Sequence, residues 1–306
     1  MRNLELLSKK PVEEITKRDI DWLVTLLAET IHSGPDTRII KTLNRIIEAC
    51  NHDQVFELVA CIIDYKLKRE DLGAIGLHVY KEKSYTMEFY FDAIPLVNLL
   101  SITIARKIIE NDSITIFGIC GESGSGKTEI ARLIQHHLKR LFEIRILKQD
   151  NYFKLPPKAN TEKRMHELEA WIGPQEVKLD LMAEHISAIK RGENIKIPVI
   201  LDGDSFKEER IREEVFSVKG VDAVIVDGTY CGFLKDVLDF YIYLDVPYTT
   251  TERRRLERDR GRGDTVDREF LKKVLAIERK IILQQKKDAD IIVDENYHII
   301  YNKFAL

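Results

Sequence analysis

Hydrophobic positions in the first part of the chain recur at helical spacing. The first helix is predicted to end at the segment Ser33-Gly34-Pro35-Asp36, where a second helix begins. The second helix is predicted to run through 39–50. Asn51 or Asp53 is the expected cap of a third helix. Residues 1–17 are mixed and charged and predict a loose lead-in. The apolar face of the first helix consists of Ile20, Leu23, Leu26, Leu27 and Ile31.

Residues 72–91 break this helical pattern. Aromatic and β-branched side chains lie on both sides of Lys81-Glu82-Lys83-Ser84, which predicts a β-hairpin. A helix from Ala93 to Glu110 follows. Residues 1–111 are therefore expected to form a smaller, mostly helical N-terminal domain, whose role the sequence does not reveal.

Residues 112–306 alternate between strand-like and helix-like periods. This alternation predicts an α/β domain with a parallel sheet covered by helices on both faces. The insert at 152–175 contains Pro156-Pro157 and many charges, and it is predicted to be a long functional or mobile loop. The predicted strands are Ile114–Ile119, Ile144–Lys148, Ile195–Ile200, Ala223–Val226, Phe240–Leu244 and Ile291–Val293.

Composition narrows the class of protein. The 306 residues carry a formal net charge of −3, which argues against a protein that coats nucleic acid. Cys50, Cys61, Cys120 and Cys231 are dispersed, have no zinc-ligand spacing, and are expected to be reduced thiols. The sequence has no signal-peptide pattern and no apolar stretch long enough to span a membrane, so a cytoplasmic location without membrane partners is expected.

The first predicted strand ends in a glycine-rich segment that directly precedes an amphipathic helix. This strand–loop–helix order is that of a phosphate-binding P-loop, in which backbone N–H groups and the helix N-terminus attract phosphate. Lys127 is expected to be an exposed charge that reaches the β- and γ-phosphates, and the Thr128 hydroxyl is a candidate magnesium ligand. The candidate nucleotide-binding residues are Gly121, Glu122, Ser123, Gly124, Ser125, Gly126, Lys127 and Thr128.

Two aspartates directly follow predicted strands. Asp150 comes after 144–149, and Asp227 ends the run V-I-V-D. Ligands of parallel sheets bind beyond the carboxyl ends of the strands, so both aspartates are expected at the reacting edge. Asp227 is a candidate magnesium ligand, and Asp150 either accepts a proton from an attacking hydroxyl or holds the metal. The alternative is that each aspartate caps a helix or a turn.

An arginine-rich segment spans 250–264. If it is helical, Arg254 and Arg258 share one face, and Arg255 lies one turn before Arg258. Such a segment can close over a nucleotide as a lid, neutralise the transferring phosphate and exclude water. The alternative is a solvated helix whose arginines pair with nearby acidic side chains.

The order of these motifs resembles the uridine kinase and phosphoribulokinase family from about Ile114 to Tyr301. The matching motifs are G-E-S-G-S-G-K-T, K-Q-D-N-Y-F, I-P-V-I, V-D-G-T-Y, R-G-R-G-D and K-K-D-A-D-I-I-V. The resemblance implies a P-loop kinase that uses ATP and Mg²⁺ to phosphorylate an alcohol group. It also implies that Asp150 is the general base and that Asp227 is the acidic residue of the metal site. The implied lid arginines, catalytic together with Lys127, are Arg255, Arg258, Arg260 and Arg262.

The acceptor segments depart from that family. Uridine kinases usually carry F-D-H-P, whose aspartate holds the ribose hydroxyls, but this chain has Trp171-Ile172-Gly173-Pro174. Their Y-D-F segment is replaced by 200–204. An altered acceptor pocket is therefore expected. The basic insert favours an anionic small-molecule acceptor, the alternative being that these side chains are merely solvated. They are Lys154, Lys158, Lys163, Arg164 and His166.

Other functions are weighed against a small-molecule kinase. One is a nucleotide-dependent switch or ATPase whose N-terminal domain binds a protein. An enzyme or motor that acts on nucleic acid is disfavoured by the net charge of −3 and by the lack of an aromatic and basic stretch. The sequence leaves open the acceptor, the choice of ATP or GTP, and whether the chain forms a homo-oligomer.

Overall fold

A computed structural model describes residues 2–49, 52–67, 72, 85–200, 211–261 and 268–304. The chain divides into two compact units, Met1–Ile94 and Pro95–Leu306. The domain boundary proposed after residue 111 stays a prediction. No helix in the described ranges is both long and apolar enough to cross a membrane.

The described part of the first unit is helical. Its helices up to residue 64 are α1 (Arg2–Lys9), α2 (Lys17–Thr30), α3 (Thr37–Ala49) and α4 (His52–Asp64). Thr16 and Asp19 form a capping box, so α2 begins at Lys17.

The predicted loose lead-in is wrong, because residues 2–9 form α1. Leu4 and Leu7 recur at helical spacing and are buried. Arg45 on α3 donates hydrogen bonds to the Leu7 and Lys10 carbonyl oxygens at 2.9 and 2.8 Å. These bonds supply side-chain donors to carbonyl groups at the end of α1, where intrahelical donors run out.

The hairpin predicted over 72–91 is also wrong where it can be checked. Residues 85–91 belong to helix α5 (Tyr85–Glu110), which begins well before the predicted Ala93, while residues 73–84 lie outside the described residues. Aromatic residues favour strands only weakly, and the continuing helix overrides that preference.

The second unit is built on a six-stranded sheet within the described residues. Its strands are β1 (Thr115–Gly121), β2 (Ile144–Lys148), β5 (Ala223–Asp227), β6 (Phe240–Asp245), β7 (Ile291–Asp294) and β8 (Ile299–Asn302). Their order across the sheet is β2-β5-β1-β6-β7-β8, and every neighbouring pair in this order is parallel except β7 and β8, which are antiparallel. The flanking helices are α6 (Lys127–Leu138), α7 (Pro157–Trp171), α8 (Leu179–Lys190), α9 (Tyr248–Gly261) and α10 (Arg268–Lys286).

Ile195–Ile200 forms a strand, β3, but it is not part of the parallel sheet. It pairs antiparallel with β4 (Ile211–Phe216) in a separate two-stranded sheet. The sequence pattern identified this strand but not its partner, because β4 reads I-R-E-E-V-F and its three consecutive charged residues hide the apolar pattern of a strand. Neither β4 nor β8 was predicted.

The predicted loop at 152–175 is mostly helix α7, with a kink at Glu167. Pro156 and Pro157, which suggested a loop, mark the start of this helix, where proline is favourable because no intrahelical N–H bond is lost. The Asn160 N–H donates to the Pro156 carbonyl at 2.8 Å and closes the first turn.

Candidate active site

The glycine-rich segment adopts backbone conformations that favour glycine. Gly121, Gly124 and Gly126 have φ angles of 147°, 88° and 93°. A Cβ atom at Gly121 would lie 2.7 Å from the Leu244 carbonyl oxygen of β6, so a larger residue would displace the loop. The chain can thus turn from β1 into α6 within a few residues, and the N-terminus of α6 faces the loop.

Lys127 is buried, with 8% of its surface exposed, which corrects the expectation of an exposed charge. Its Nζ donates to the carbonyl oxygen of Glu122 at 2.8 Å. An ammonium group has three donors, so this bond positions the amine and leaves it able to bind a phosphate.

Thr128, in the first turn of α6, meets Asp227 at the carboxyl end of β5. The Thr128 hydroxyl donates to Asp227 Oδ2 at 2.6 Å, and Asp227 aligns with Ile119 of β1. Burial raises the pKa of Asp227 to about 6, although Lys127 and the Thr128 bond act in the opposite direction.

Asp150 lies at the same edge of the sheet. It is exposed, in a 3₁₀ turn (Gln149–Tyr152) directly after β2, whose last residue pairs with Asp227. Asp150 is close enough to contribute to the raised pKa of Asp227. The buried Gln149 anchors the turn, because its Oε1 accepts the Tyr230 N–H at 2.8 Å.

The donor set at this edge suits magnesium bound together with phosphates. No group of three or more His, Cys, Asp or Glu side chains with metal-site geometry occurs in the part of the chain that the structure describes. Magnesium rarely uses such an all-protein cage and is usually held by one or two carboxylates, substrate phosphates and water. Thr128 and Asp227 offer adjacent oxygens for this purpose, and Asp150 lies at the next strand end.

The first half of the arginine-rich helix α9 contacts the P-loop. The buried Thr251 hydroxyl donates to Glu122 Oε2 at 2.7 Å. Arg254 donates to the Gly124 carbonyl oxygen at 3.4 Å and to the Tyr297 hydroxyl at 3.1 Å. Arg254 is therefore the arginine of this segment that the described contacts bring to the P-loop, and closure of the segment as a lid stays a prediction.

The four arginines predicted to be catalytic are only partly described. Arg255 Nη1 donates to Glu278 Oε2 on α10 at 3.3 Å. Arg258 and Arg260 belong to α9 by their backbone, but their side chains are outside the described part, and Arg262 lies outside the described residues. Their contact with phosphate stays a prediction.

Sequence reasoning missed the partner of Glu122. This P-loop carboxylate is buried and accepts a hydrogen bond from Arg279 on α10 in addition to the one from Thr251. Glu122 lies inside a recognisable motif, but no sequence pattern connects it to a residue 157 positions away.

A second missed feature is a buried ionic network that joins α7, α10 and the segment after α7. Arg164 of α7 donates to Glu176 at 2.7 Å and to Glu278 at 2.9 Å. Burial acts to lower the pKa of the Arg164 guanidinium, but Glu278 and Glu176 raise it above its ordinary value. Arg164 is thus committed to internal partners and is not one of the exposed charges that the sequence suggested.

The other predicted acceptor residues vary in exposure. Ile172 is fully buried, and its N–H donates to the Leu168 carbonyl at 2.9 Å. Lys163 lies 3.9 Å from the Trp171 ring centre and pairs with Glu167. The exposed cationic or titratable side chains among them are Lys154, Lys158 and His166.

The chain is similar to known proteins over most of its second unit. The family model described as "Phosphoribulokinase / Uridine kinase family" matches residues 116–298. Uridine kinases of Clostridium novyi (strain NT) and Bacillus pumilus (strain SAFR-032) are each 32% identical over 187 residues, which are 59% of this chain and 86% of each relative.

A solved structure supports the fold. D-glycerate 3-kinase from Cryptococcus neoformans var. grubii matches with a TM-score of 0.50 and 14% identity, covering 67% of this chain and 97% of that chain. At this identity the likeness concerns the fold alone. Since the family model spans more than half of the 306 residues, the chain belongs to the phosphoribulokinase / uridine kinase family.

Proposed function

We propose that this protein is an ATP- and Mg²⁺-dependent kinase that phosphorylates a hydroxyl group of a small metabolite. The observation that carries the proposal is the pairing of Thr128 with Asp227 beside the P-loop, with Asp150 at the adjacent strand end. In the proposed site the P-loop would cradle the phosphates, Thr128 and Asp227 would offer oxygen ligands for magnesium, and Asp150 would offer a carboxylate for proton transfer.

Each residue has a separate task in the proposed reaction. The P-loop backbone and Lys127 bind the donor phosphates, while Thr128 and Asp227 would hold magnesium, which neutralises charge on the β- and γ-phosphates when bound. Asp150 receives the proton of the acceptor hydroxyl while the hydroxyl oxygen bonds to the γ-phosphorus. The bond between the γ-phosphorus and the oxygen that stays with ADP breaks in the same step. Catalysis is then mainly positioning and charge stabilisation.

The acceptor is proposed to be an anionic metabolite and not a nucleoside. Ile172 occupies the position of the ribose-binding aspartate in uridine kinases, and a buried isoleucine cannot accept hydrogen bonds from ribose hydroxyls. Lys154 follows Asp150 by four positions, and Lys158 lies in the first turn of α7. Both are exposed and suit a phosphate or carboxylate group on the acceptor.

The decisive test is an acceptor screen. The full-length protein is incubated with Mg²⁺ and ATP or GTP in the presence of nucleosides, sugars, sugar phosphates and hydroxy acids. ADP or GDP release and product mass are measured. Release that matches the amount of a phosphorylated product supports the kinase. Nucleotide hydrolysis without transfer to any acceptor contradicts it and favours a nucleotide-dependent switch.

A further inference from the structure

Arg279 lies beside the P-loop but belongs to none of the motifs that identify the donor site. It sits on α10, and its Nη1 donates to Glu122 Oε1. One third of its side chain, 33%, is exposed, whereas the Glu122 side chain is 5% exposed. The cation therefore reaches a buried carboxylate of the loop while part of its side chain stays exposed to solvent.

Glu122 holds two cations in different ways. Its backbone carbonyl accepts the Lys127 ammonium at 2.8 Å, and its carboxylate accepts Arg279. Thr251 of the lid helix donates to the other carboxylate oxygen, which restricts the rotation of the Glu122 side chain. Glu122 thus contacts both Arg279 and the Lys127 amine, which is expected to bind the β- and γ-phosphates.

The chemistry of arginine decides what this position can do. A guanidinium carries five N–H donors in a planar fork, and Glu122 is its partner through Nη1 among the described residues. Donors remain on a preorganised cation whose side chain is already ordered, so little further entropy is lost when it binds a phosphate. Preorganised cations near the transferring phosphoryl group are the main means by which proteins stabilise it.

We propose that Arg279 is a further catalytic residue that contacts the γ-phosphate of the donor nucleotide, and that Glu122 is the positioning residue that aims it. This inference rests on the proposed kinase function. The competing explanation is that Arg279 only neutralises the buried Glu122 charge. Neutralisation alone would affect the loop whichever nucleotide is bound, whereas a γ-phosphate contact distinguishes ATP from ADP.

The test is a comparison of nucleotide affinities in the full-length protein. The Mg²⁺ complexes of ADP and of the β,γ-imido analogue of ATP are titrated calorimetrically against the natural protein and against Arg279→Gln. Loss of a charged hydrogen bond to the γ-phosphate should weaken analogue binding by at least about tenfold and ADP binding by less than about threefold.

Companion variants separate positioning from folding. Glu122→Gln keeps an oxygen acceptor but loses the charge, so it should weaken analogue binding in the same selective way and to a smaller extent. Arg279→Lys keeps the positive charge beside Glu122 and tests the fork geometry if Arg279→Gln does not fold; it should also lose analogue affinity selectively. Arg191→Gln removes an arginine of an exposed ion pair with Glu193 and serves as the control.

The outcomes distinguish this inference from the function on which it rests. Selective loss of analogue affinity in the Arg279 variants, with Arg191→Gln unchanged, supports it. Equal weakening of ADP and analogue binding, or no weakening, overturns the γ-phosphate contact while the kinase proposal stands. If the natural protein binds neither nucleotide, the kinase proposal and this inference both fall.

Discussion

The P-loop holds the Lys127 amine in position, and this amine is proposed to bind the donor phosphates. Lys127→Ala should abolish phosphoryl transfer, because it removes a positive charge that the loop holds ready for the phosphates. Removing one such preorganised contact costs roughly 2–4 kcal/mol, about a hundredfold or more in rate. Initial rates of ADP release measure the effect.

The control for this variant is Lys139→Ala, an exposed lysine directly after α6. It should keep its activity. Circular dichroism and thermal unfolding establish that both variants are folded. Normal turnover of folded Lys127→Ala would be incompatible with the P-loop assignment.

The two aspartates at the sheet edge are predicted to differ in role. Asp150→Asn cannot accept a proton, so transfer should fall by at least about a hundredfold while ATP binding persists. Asp227→Asn loses the negative charge beside Thr128, so it should raise the Mg²⁺ concentration needed for half-maximal rate. Magnesium titrations of both variants, with rate and ATP affinity measured, separate these effects. Equal shifts in magnesium requirement would mean that the pair acts as one metal site.

Among the secondary-structure elements, α7 and α10 are connected by a buried ion pair between Arg164 and Glu278. Glu176, in the short segment between α7 and α8, accepts hydrogen bonds from Asn160 at 2.6 Å, Arg164 at 2.7 Å and the Gly173 N–H at 2.8 Å. Arg164 and Arg255 both pair with Glu278 of α10. One carboxylate of α10 thus connects α7 with the arginine-rich helix α9.

Glu176→Ala is predicted to destabilise the fold. It leaves three buried donors without their carboxylate acceptor, and breaking a buried ion pair from one side costs about 3–5 kcal/mol. Urea unfolding followed by circular dichroism measures the change. Glu193→Ala is the matched control, because it removes an exposed carboxylate that pairs with Arg191 and should change the midpoint little. Equal midpoints for the two variants would show that the network is not stabilising.

The elements that could be predicted are those with a strong local signal. The bounds of β2 and β3 follow from short segments rich in aliphatic residues, and the P-loop follows from glycine spacing between a strand and a helix. The elements that were missed lack such a local signal. β4 reads I-R-E-E-V-F, with three consecutive charged residues, and α7 has no apolar stripe to mark it because its buried side chains are Asn160 and Arg164.

In the whole molecule, the part of the candidate site that could be predicted is again the part with a local sequence signal. Thr128, Asp150 and Asp227 could be placed together because strands in parallel register bring their carboxyl ends to one edge. Arg164, Arg279 and Glu278 could not be assigned, since their ion-pair partners lie on other elements and charge alone does not indicate burial. The sequence thus predicts the donor half better than the acceptor half.

The choice of acceptor is the property of the whole molecule that most needs a test. Anionic acceptors should be phosphorylated faster than uridine or cytidine, because Lys154 and Lys158 are exposed and follow Asp150 by four and eight positions. Transfer to anionic acceptors should slow as salt rises, since the Debye length shrinks to about 8 Å at physiological ionic strength. Rates are measured for both classes of acceptor at low and moderate salt.

Matched variants connect this behaviour to the two lysines. Lys154→Ala and Lys158→Ala should raise the KM for an anionic acceptor and reduce the salt dependence, with little change in the KM for ATP. Lys219→Ala is the control, because this exposed lysine precedes the amino end of β5, at the opposite end of the strand from Asp227. If the two lysines attract the anionic acceptor, only their variants should show a higher KM for it and a weaker salt dependence. Efficient, salt-insensitive phosphorylation of uridine would instead mean that other side chains replace the missing ribose-binding aspartate and that the acceptor is a nucleoside after all.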